Sequence, residues 1–539
     1  MKLPRLRYAD GIGKNGQTQF GGLNHNPGAG DGELWDMENL TGDLWPLLST
    51  REKRWRLTTL NRPNGLFAWD GLIWVDGDGF YYKGERKGAV EDSRKTFAAL
   101  GAYVVILPDK AYFNTLTGEF GKLEARWSGN ALTFTNGRLY EEDAEANTLQ
   151  CAGVRWADHF RAGDAVTIEG CTVHPKNNKT PVIREIDGDK LYFYEHVFEL
   201  NGEKGDQAYT ETGNLTVTRK LPELKYLCEN ENRLWGCDDT TIYASKLGDI
   251  FNWNVFEGLA TDSYAVDTGS AGAFTGCCSF LGYPVFFKEE HIYKVYGSIP
   301  SNFQVMGSAT LGVAGGSGKS LAIAGETLLY LSGAGMMAYS GGIPQPIGGA
   351  FGRARYREAC GGSDGLKYYV TMTDERGKSS LFVYDTQKGL WHREDERRAI
   401  GFCRDGGCTW CLFDDGGLWA VSGEPENCEA EGDVSWFAEF GDFTSGSPNK
   451  KQLEKLLVRL ELDEGAHCRA EVRFDSRGDW LPAGAVMEWG ETRSYVLPIV
   501  PARSDHYRVR LSGTGGCRVY SLVREEAEGS ELRSTKGRS

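Results

Sequence analysis

The feature that most constrains this chain is a local pattern that recurs along most of its length: apolar run, short Gly/Asp/Asn turn, apolar run, second turn, third run. It appears at Leu66–Tyr82 (LFAWDGLIWVDGDGFYY), Phe97–Phe113, Tyr226–Ala244, Gly276–Tyr296, Leu321–Tyr339, Ala359–Tyr384 and Ile400–Val421 (IGFCRDGGCTWCLFDDGGLWAV). Short β-branched and aromatic runs bounded by turn residues predict strands. The middle runs carry Leu234, Val285, Leu328, Tyr368 and Trp410, at steps of 51, 43, 40 and 42 residues. A period of about 40–50 residues with several strands per repeat is the spacing of β-propeller blades. One such sheet cannot bury both faces alone, and radial stacking of blades buries them. Unrelated hairpins in sandwiches are the competing reading, because they also place turns at short, regular spacing. Glycine supports the all-β reading: 71 of 539 residues, about twice the usual share of roughly 7%. Aromatics reach 12%, with 15 Trp. The expectation is an all-β chain whose main body is a β-propeller of about seven blades.

Spacing also predicts the domain plan. The anchors Leu72 and Val104 are 32 residues apart, but Val104 and Leu234 are separated by 130. The excess predicts a small inserted β-barrel or sandwich at 127–219, with turns at Gly163-Asp164 and Asp187-Gly188-Asp189. The propeller then occupies 61–126 and 220–423. Residues 423–432 read as an acidic linker. The alternating runs beyond it (VSWFAEFGDF, KLLVRLELD, CRAEVRFDS, TRSYVLPIV, HYRVRLSG) predict a C-terminal β-sandwich over 433–525. Residues 526–539 read as a polar, flexible tail. Residues 1–60 lie outside the blades and read as an N-terminal arm used in assembly, with the option of a strand that closes the first and last blades.

Charge and patterning exclude several function classes. Sixty Lys and Arg against 75 Asp and Glu leave a net charge of −15. Such a chain is poorly suited to gripping a phosphate backbone, though an acidic channel lets DNA pass without sticking. No apolar run is long enough to span a bilayer, and MKLPRLRYADGIGKNGQ has no apolar core of a secretory signal. The expectation is no membrane insertion and 13 Cys held mainly as thiols.

The candidate chemical motifs are better explained by structure. Gly312–Ser320 (GVAGGSGKS) resembles a phosphate-binding loop, but Val313 stands where that motif needs its first Gly, and a strand follows instead of a helix. Cys403, Cys408, Cys411 and Cys428 cluster locally. Cys408 and Cys411 would face opposite sides of one strand, which suits buried thiols better than a zinc site. The acid pairs Glu289-Glu290, Asp414-Asp415 and Asp238-Asp239 sit in turn-like strings. No catalytic, cofactor-binding or metal residue is therefore assigned, and the chain is expected not to be an enzyme.

Three stretches carry a family resemblance. Phe20-Gly-Gly-Leu-Asn24, Gly32-Glu-Leu-Trp-Asp-Met-Glu-Asn-Leu40 and Trp45-Pro-Leu-Leu-Ser-Thr-Arg51 open the chain. Glu231–Cys237, Ile242–Ser245 and Phe286–Phe303 form its middle; Leu497–Arg503, Asp505–Arg508 and Glu528–Glu531 form its end. Together they resemble tail-associated structural proteins of tailed bacteriophages and prophages. In layout the chain is also similar to the propeller-based nozzle proteins of short-tailed phages, which form hexameric rings around the DNA exit channel. The resemblance implies a structural component of the virion tail, of nozzle or tail-hub type, assembled in the host cytoplasm. It implies other tail proteins and copies of itself as partners, passing contact with DNA in a lumen, no specific nucleic-acid binding and no cofactor. Trp35, Trp45 and Arg51 are the candidate assembly-interface residues. A glycan- or receptor-binding tail adaptor is the alternative, and a propeller glycoside hydrolase the second alternative.

Overall fold

The computed structural model describes residues 12–136, 147–194, 198–200, 208–446, 449–475 and 478–528. Residues 529–539, most of the expected tail, lie outside the described residues, as do the first eleven. Regular structure among the described residues is strand throughout, apart from short 3-10 turns. No helix there is long and apolar enough to cross a membrane. The chain divides into two compact units, Asn64–Ala314 and Met1–Pro63 with Gly315–Ser539.

The Asn64–Ala314 unit carries four antiparallel meanders of four strands, whose second strands are Leu72–Asp76, Tyr103–Leu107, Arg233–Cys237 and Tyr283–Lys288. The other unit carries two more, with second strands Thr327–Ser332 and Lys367–Asp374, and a five-stranded sheet whose second strand is Cys408–Phe413. Leu72, Val104, Leu234, Val285, Leu328, Tyr368 and Trp410 therefore all fall on the same strand of their sheet. Arg233–Cys237 and Cys408–Phe413 are buried along their whole length. That explains their continuous rather than alternating apolar pattern, because a strand covered on both faces needs apolar residues on both. The hairpin before the second strand often closes through two residues of positive φ: Glu231 and Asn232 (49° and 61°), Leu281 and Gly282 (53° and 79°), Gly406 and Gly407 (58° and 79°). This is the type I′ turn whose twist matches that of the strands. The chain is all-β and built on propeller blades.

The segment Ala125–Arg219 forms a separate six-stranded sheet with its own core around Trp156, Phe134, Leu191 and Val217. Its edges meet. Val166 N–H donates to Pro181 C=O (3.0 Å) and Ile183 N–H to Asp164 C=O (2.8 Å), closing a small barrel. The turn residue Asp164 is also its anchor. It is buried, pairs with Arg219, and accepts from Asn252 Nδ2 (3.2 Å) in the loop before the last strand of the third meander. Arg219 Nε donates to Leu123 C=O (2.9 Å), so entry and exit of the insertion are tied together.

In the other unit residues 12–59 are built into sheets rather than standing off as an arm, and the strand that was the option for 1–60 is present at Trp55–Thr59, in the last blade. Ile12–Gln17, Leu40–Thr41 and Leu48–Thr50 join a sheet with Lys451–Leu462, Cys517–Glu528, Arg493–Pro498 and Arg503–Ser504. Leu34–Glu38 joins the facing sheet with Ser435–Phe440, Tyr507–Thr514, His467–Phe474 and Leu481–Val486. The sandwich expected at 433–525 is thus completed by strands some 400 residues earlier in the chain. Trp55–Thr59 pairs with Gly417–Ser422 and becomes the fourth strand of the last sheet, with Glu429–Ala430 at its edge, immediately before the chain enters the first meander. The N-terminal strands were illegible because they are two to six residues long and their partners are remote.

Two consequences follow for this segment. A chain lacking residues 1–60 loses five strands from two sandwich sheets and a blade, so it is expected to be insoluble or to lack a cooperative melt. A soluble truncation melting like the full chain would contradict this architecture. Gly22 lies where the chain crosses Trp391: Leu23 N–H donates to Trp391 C=O (2.6 Å), and a Cβ on Gly22 would sit 2.2 Å from that oxygen. Backbone cannot yield cheaply, so Gly22→Ala should cost about 3 kcal/mol or more in denaturant unfolding. Gly28→Ala, with nothing within 4 Å of the added Cβ, should be neutral to about 0.5 kcal/mol.

Candidate functional site

The three interface candidates have different environments. Trp45 is half-exposed (50%), next to Leu44 (47%). Trp35 is partly buried, with the Arg508 guanidinium 4.6 Å from its ring centroid and the His25 ring 5.7 Å away. Arg51 is nearly inaccessible. Its Nη1 and Nη2 donate to the two carboxylate oxygens of Glu431 (2.7 and 3.0 Å), and its Nε to Asn39 Oδ1 (2.8 Å). Of the three, Trp45 is the one presented to solvent, while Arg51 serves an internal joint.

That joint is a buried ionic network. Arg54 donates to Glu394 (2.6 Å) and pairs with Asp395, and its backbone N–H reaches Glu431 (3.2 Å). Asn39 takes a left-handed conformation (φ 54°), donates its N–H to Glu394 C=O (3.0 Å) and its Nδ2 to Ser435 C=O (2.9 Å). Asn tolerates that backbone region better than most residues. Asn39 is therefore a buried scaffold position. Burial pushes the Glu431 and Asp395 carboxyls up, but the charges and hydrogen bonds of Arg51 and Arg54 outweigh it and hold both below their ordinary values.

A second, open site lies in the same unit. A cavity of about 590 Å³ is lined by Trp35 and Asp36 on one strand, by Arg353 and Arg355 on the segment before Tyr356–Ser363, and by Asp374 and Arg376 on the following hairpin turn. Phe351, Tyr356 and Phe382 form an edge-to-face aromatic set beside it, with centroid separations of 5.0–5.5 Å. Arg353, Arg355 and Arg376 are exposed and make no ion pair among the described residues. Arg393 at the same cavity is instead engaged by Asp36 (3.2 Å) and Glu38 (3.4 Å). Burial lowers the pKa of His25, which also lines the cavity. Gly352 (φ 59°) makes the turn that delivers Arg353. The spacing of these arginines on an irregular segment carries no sequence signature, which is why the cavity was not foreseen.

The chemical motifs are absorbed by the scaffold. In the 315–320 loop, Ser317 Oγ accepts from Ala359 N–H (3.1 Å), Ser320 Oγ from Leu331 N–H (3.1 Å), and Lys319 donates to Ile400 C=O (3.2 Å). Asp238 caps its own turn by accepting from the N–H groups of Thr240 and Thr241 (2.8 and 2.7 Å). Cys408 and Cys411 are buried free thiols, and burial raises the pKa of both. Among the described residues, Asp475, Asp505 and His506 bring three ligand-type atoms within 4.8 Å of one another. They sit on exposed turns and already bond to each other, as His506 does to Asp505 (2.5 Å).

No family model and no curated protein matches this chain. Among solved structures it is similar to an exo-β-1,3-galactanase from Phanerochaete chrysosporium at 8% identity, over 55% of this chain and 94% of that one, with a TM-score of 0.22. It is similar to Raptor from Chaetomium thermophilum at 12% identity, over 69% and 29% of the chains, with a TM-score of 0.32. PorZ, a surface component of the type-IX secretion system of Porphyromonas gingivalis, matches at 11% identity over 86% and 77%, with a TM-score of 0.27. Superpositions this loose carry no argument about activity, substrate or partners.

The ionic joint predicts an acid-sensitive fold. Burial lowers the pKa of His392 from 6.5 to about 4, and the Arg partners lower those of Glu431 and Asp395. Each group binds fewer protons folded than unfolded, so stability falls as pH falls. The His392 contribution starts to fade below about pH 6.5, and the carboxylate contributions below about pH 5. The melting temperature should therefore decline steadily from pH 6.5 to 4; a flat profile down to pH 5 would remove His392 from the account. At pH 7, Glu431→Gln takes from the buried Arg51 guanidinium the carboxylate that it grips with two hydrogen bonds and should cost about 3 kcal/mol in chemical unfolding.

Proposed function

We propose that this chain is a non-catalytic structural component of a bacteriophage tail, of nozzle or tail-hub type, that assembles with copies of itself and with other tail proteins around or beside the DNA exit channel. One observation carries the reading: the residues of the opening resemblance are joints of the scaffold. Phe20, Leu23, Leu34, Met37, Leu40 and Leu48 belong to one core cluster with the sandwich strands, Gly22 is required by the crossing at Trp391, and Asn39 and Arg51 hold the ionic network. A pattern maintained by such joints marks a shared architecture. The resemblance on those positions is to tail proteins, and the acidic balance of −15 suits a lumen that does not retain DNA.

On this reading, assembly draws on exposed apolar groups. Leu44 and Trp45 form one candidate. The edge strand Arg493–Pro498 and the loops beside it form another, where Met487, Trp489, Val496 and Val500 are 59–75% exposed. Exposed apolar patches on a folded protein commonly mark such contacts.

The test is the solution mass of the purified chain by light scattering, with negative-stain images of the same sample. Rings of several subunits with a central channel are expected, and Trp45→Asp should shift them to monomers with an unchanged melting temperature. A monomer that also fails to join co-expressed tail proteins would overturn the proposal. The alternative, a glycan- or receptor-binding adaptor of the tail, is favoured by the arginine-lined cavity.

A further inference from the structure

We propose that the cavity between Leu34–Glu38, residues 351–356 and the 374–378 turn binds an acidic saccharide: a sugar ring bearing a carboxylate or phosphate, taken as a unit of a longer chain. The inference rests on this cavity alone and stands whether or not the chain belongs to a tail.

What sets the cavity arginines apart is their convergence. In a chain of net charge −15, Arg508, Arg510 and Arg524 of the sandwich are neutralised locally, by Glu439 and Asp442, by Glu439 and by Asp31. Arg353, Arg355 and Arg376 converge on one cavity without a carboxylate partner among the described residues. A planar guanidinium offers parallel donors that match the two oxygens of a carboxylate or phosphate. An anionic ligand is the partner such a set lacks.

The rest of the lining selects the ligand class. Asp36, Asp374 and Glu375 share the cavity with the arginines. Carboxylates are acceptors only, so they take hydroxyl donors, which a sugar ring carries in abundance. They repel a continuous phosphate backbone, which argues for a saccharide over a nucleic acid. Tyr356, half-buried against Phe351 and Phe382, supplies an apolar face for the C–H side of a pyranose ring. His25 makes no side-chain hydrogen bond among the described residues, and burial favours its neutral form, with one donor and one acceptor to offer.

The site is also longer than one ring. A second cavity of about 490 Å³ adjoins it along the same segment, and Arg353, Arg355 and Tyr356 line both. Its remaining wall is the Ser332–Gly335 turn and its flanks, rich in small residues that leave the backbone open. Arg353 and Arg355 thus stand at the boundary of two adjoining spaces, as needed to hold an anionic group between successive sugar units.

Calorimetric titration of the full chain tests this with four probes: trigalacturonate for the carboxylate, glucose 6-phosphate for the phosphate, maltotriose as neutral sugar and an oligothymidylate as nucleic acid. Saturable binding of at least one anionic sugar is expected, at least tenfold tighter than maltotriose; which of the two binds identifies the anion. Arg353→Gln with Arg355→Gln, and separately Arg376→Gln, should each weaken it about tenfold or more, the size of a lost hydrogen bond to a charged group. Arg357→Gln, exposed on the adjoining strand but outside the cavity lining, should change nothing, and all variants should melt like the parent. No preference for the anionic sugars over maltotriose, binding that survives the arginine substitutions, or tighter binding of the oligothymidylate through the same arginines would each overturn the proposal. The solution-mass experiment is unaffected by any of these outcomes.

Discussion

Burial of Arg54 is the constraint on which the larger unit depends. Its side chain is 1% exposed, with Glu394 and Asp395 on one side and Glu431 bonded to its backbone. A charge this deep is tolerable only when paired and hydrogen-bonded. The network as a whole joins three places: the last strand of the meander ending at Asp395, the linker at Glu431 and the N-terminal segment carrying Arg54, Arg51 and Asn39. None of the three can shift without stranding a charge. Compared with apolar packing, such a network contributes little net stability, but it penalises every misaligned arrangement heavily. It thereby sets the register in which remote strands meet.

The placement of residues 12–59 follows the same logic. A meander has two edges, and an exposed edge is a liability for any β protein. Trp55–Thr59 covers the free edge of Gly417–Ser422, and Leu34–Glu38 and Ile12–Gln17 cover edges in the two sandwich sheets. One early segment thus ties down strands near the end of the chain. The close crossing at Gly22 and the left-handed Asn39 are local costs of routing it there. Where the routing leaves backbone irregular, between Phe351 and Tyr356, it also leaves an open cavity with unpaired arginines.

The sequence was legible where a residue's role is local. Glu231-Asn232, Leu281-Gly282 and Gly406-Gly407 occupy turns of positive φ, and the apolar runs beside them became strands. The seven spacing anchors fell on one strand of each sheet because a repeat of sheets imposes its period on the chain itself. Asp164 was legible only by half. Its turn was foreseen, but its buried pairing with Arg219 was not, since 55 residues separate the two. For Arg51, Trp35 and the arginines of the cavity, type and neighbours in sequence say nothing about whether a carboxylate will lie opposite.

By itself, then, the sequence determined the strand-and-turn grammar: the all-β class, the blade-like meanders, the interruption before Leu234 and the change of pattern after Gly423. These follow from hydrophobic alternation and turn chemistry, which act over a few residues. Tertiary structure alone decided which strands complete which sheet, which charges are buried in pairs and which remain free. Leu34–Glu38 meets Ser435–Phe440, and Arg54 meets Glu394, across some 340–400 residues of chain. Such meetings are chosen by the burial of whole faces and the pairing of charges away from water, and no local pattern encodes them.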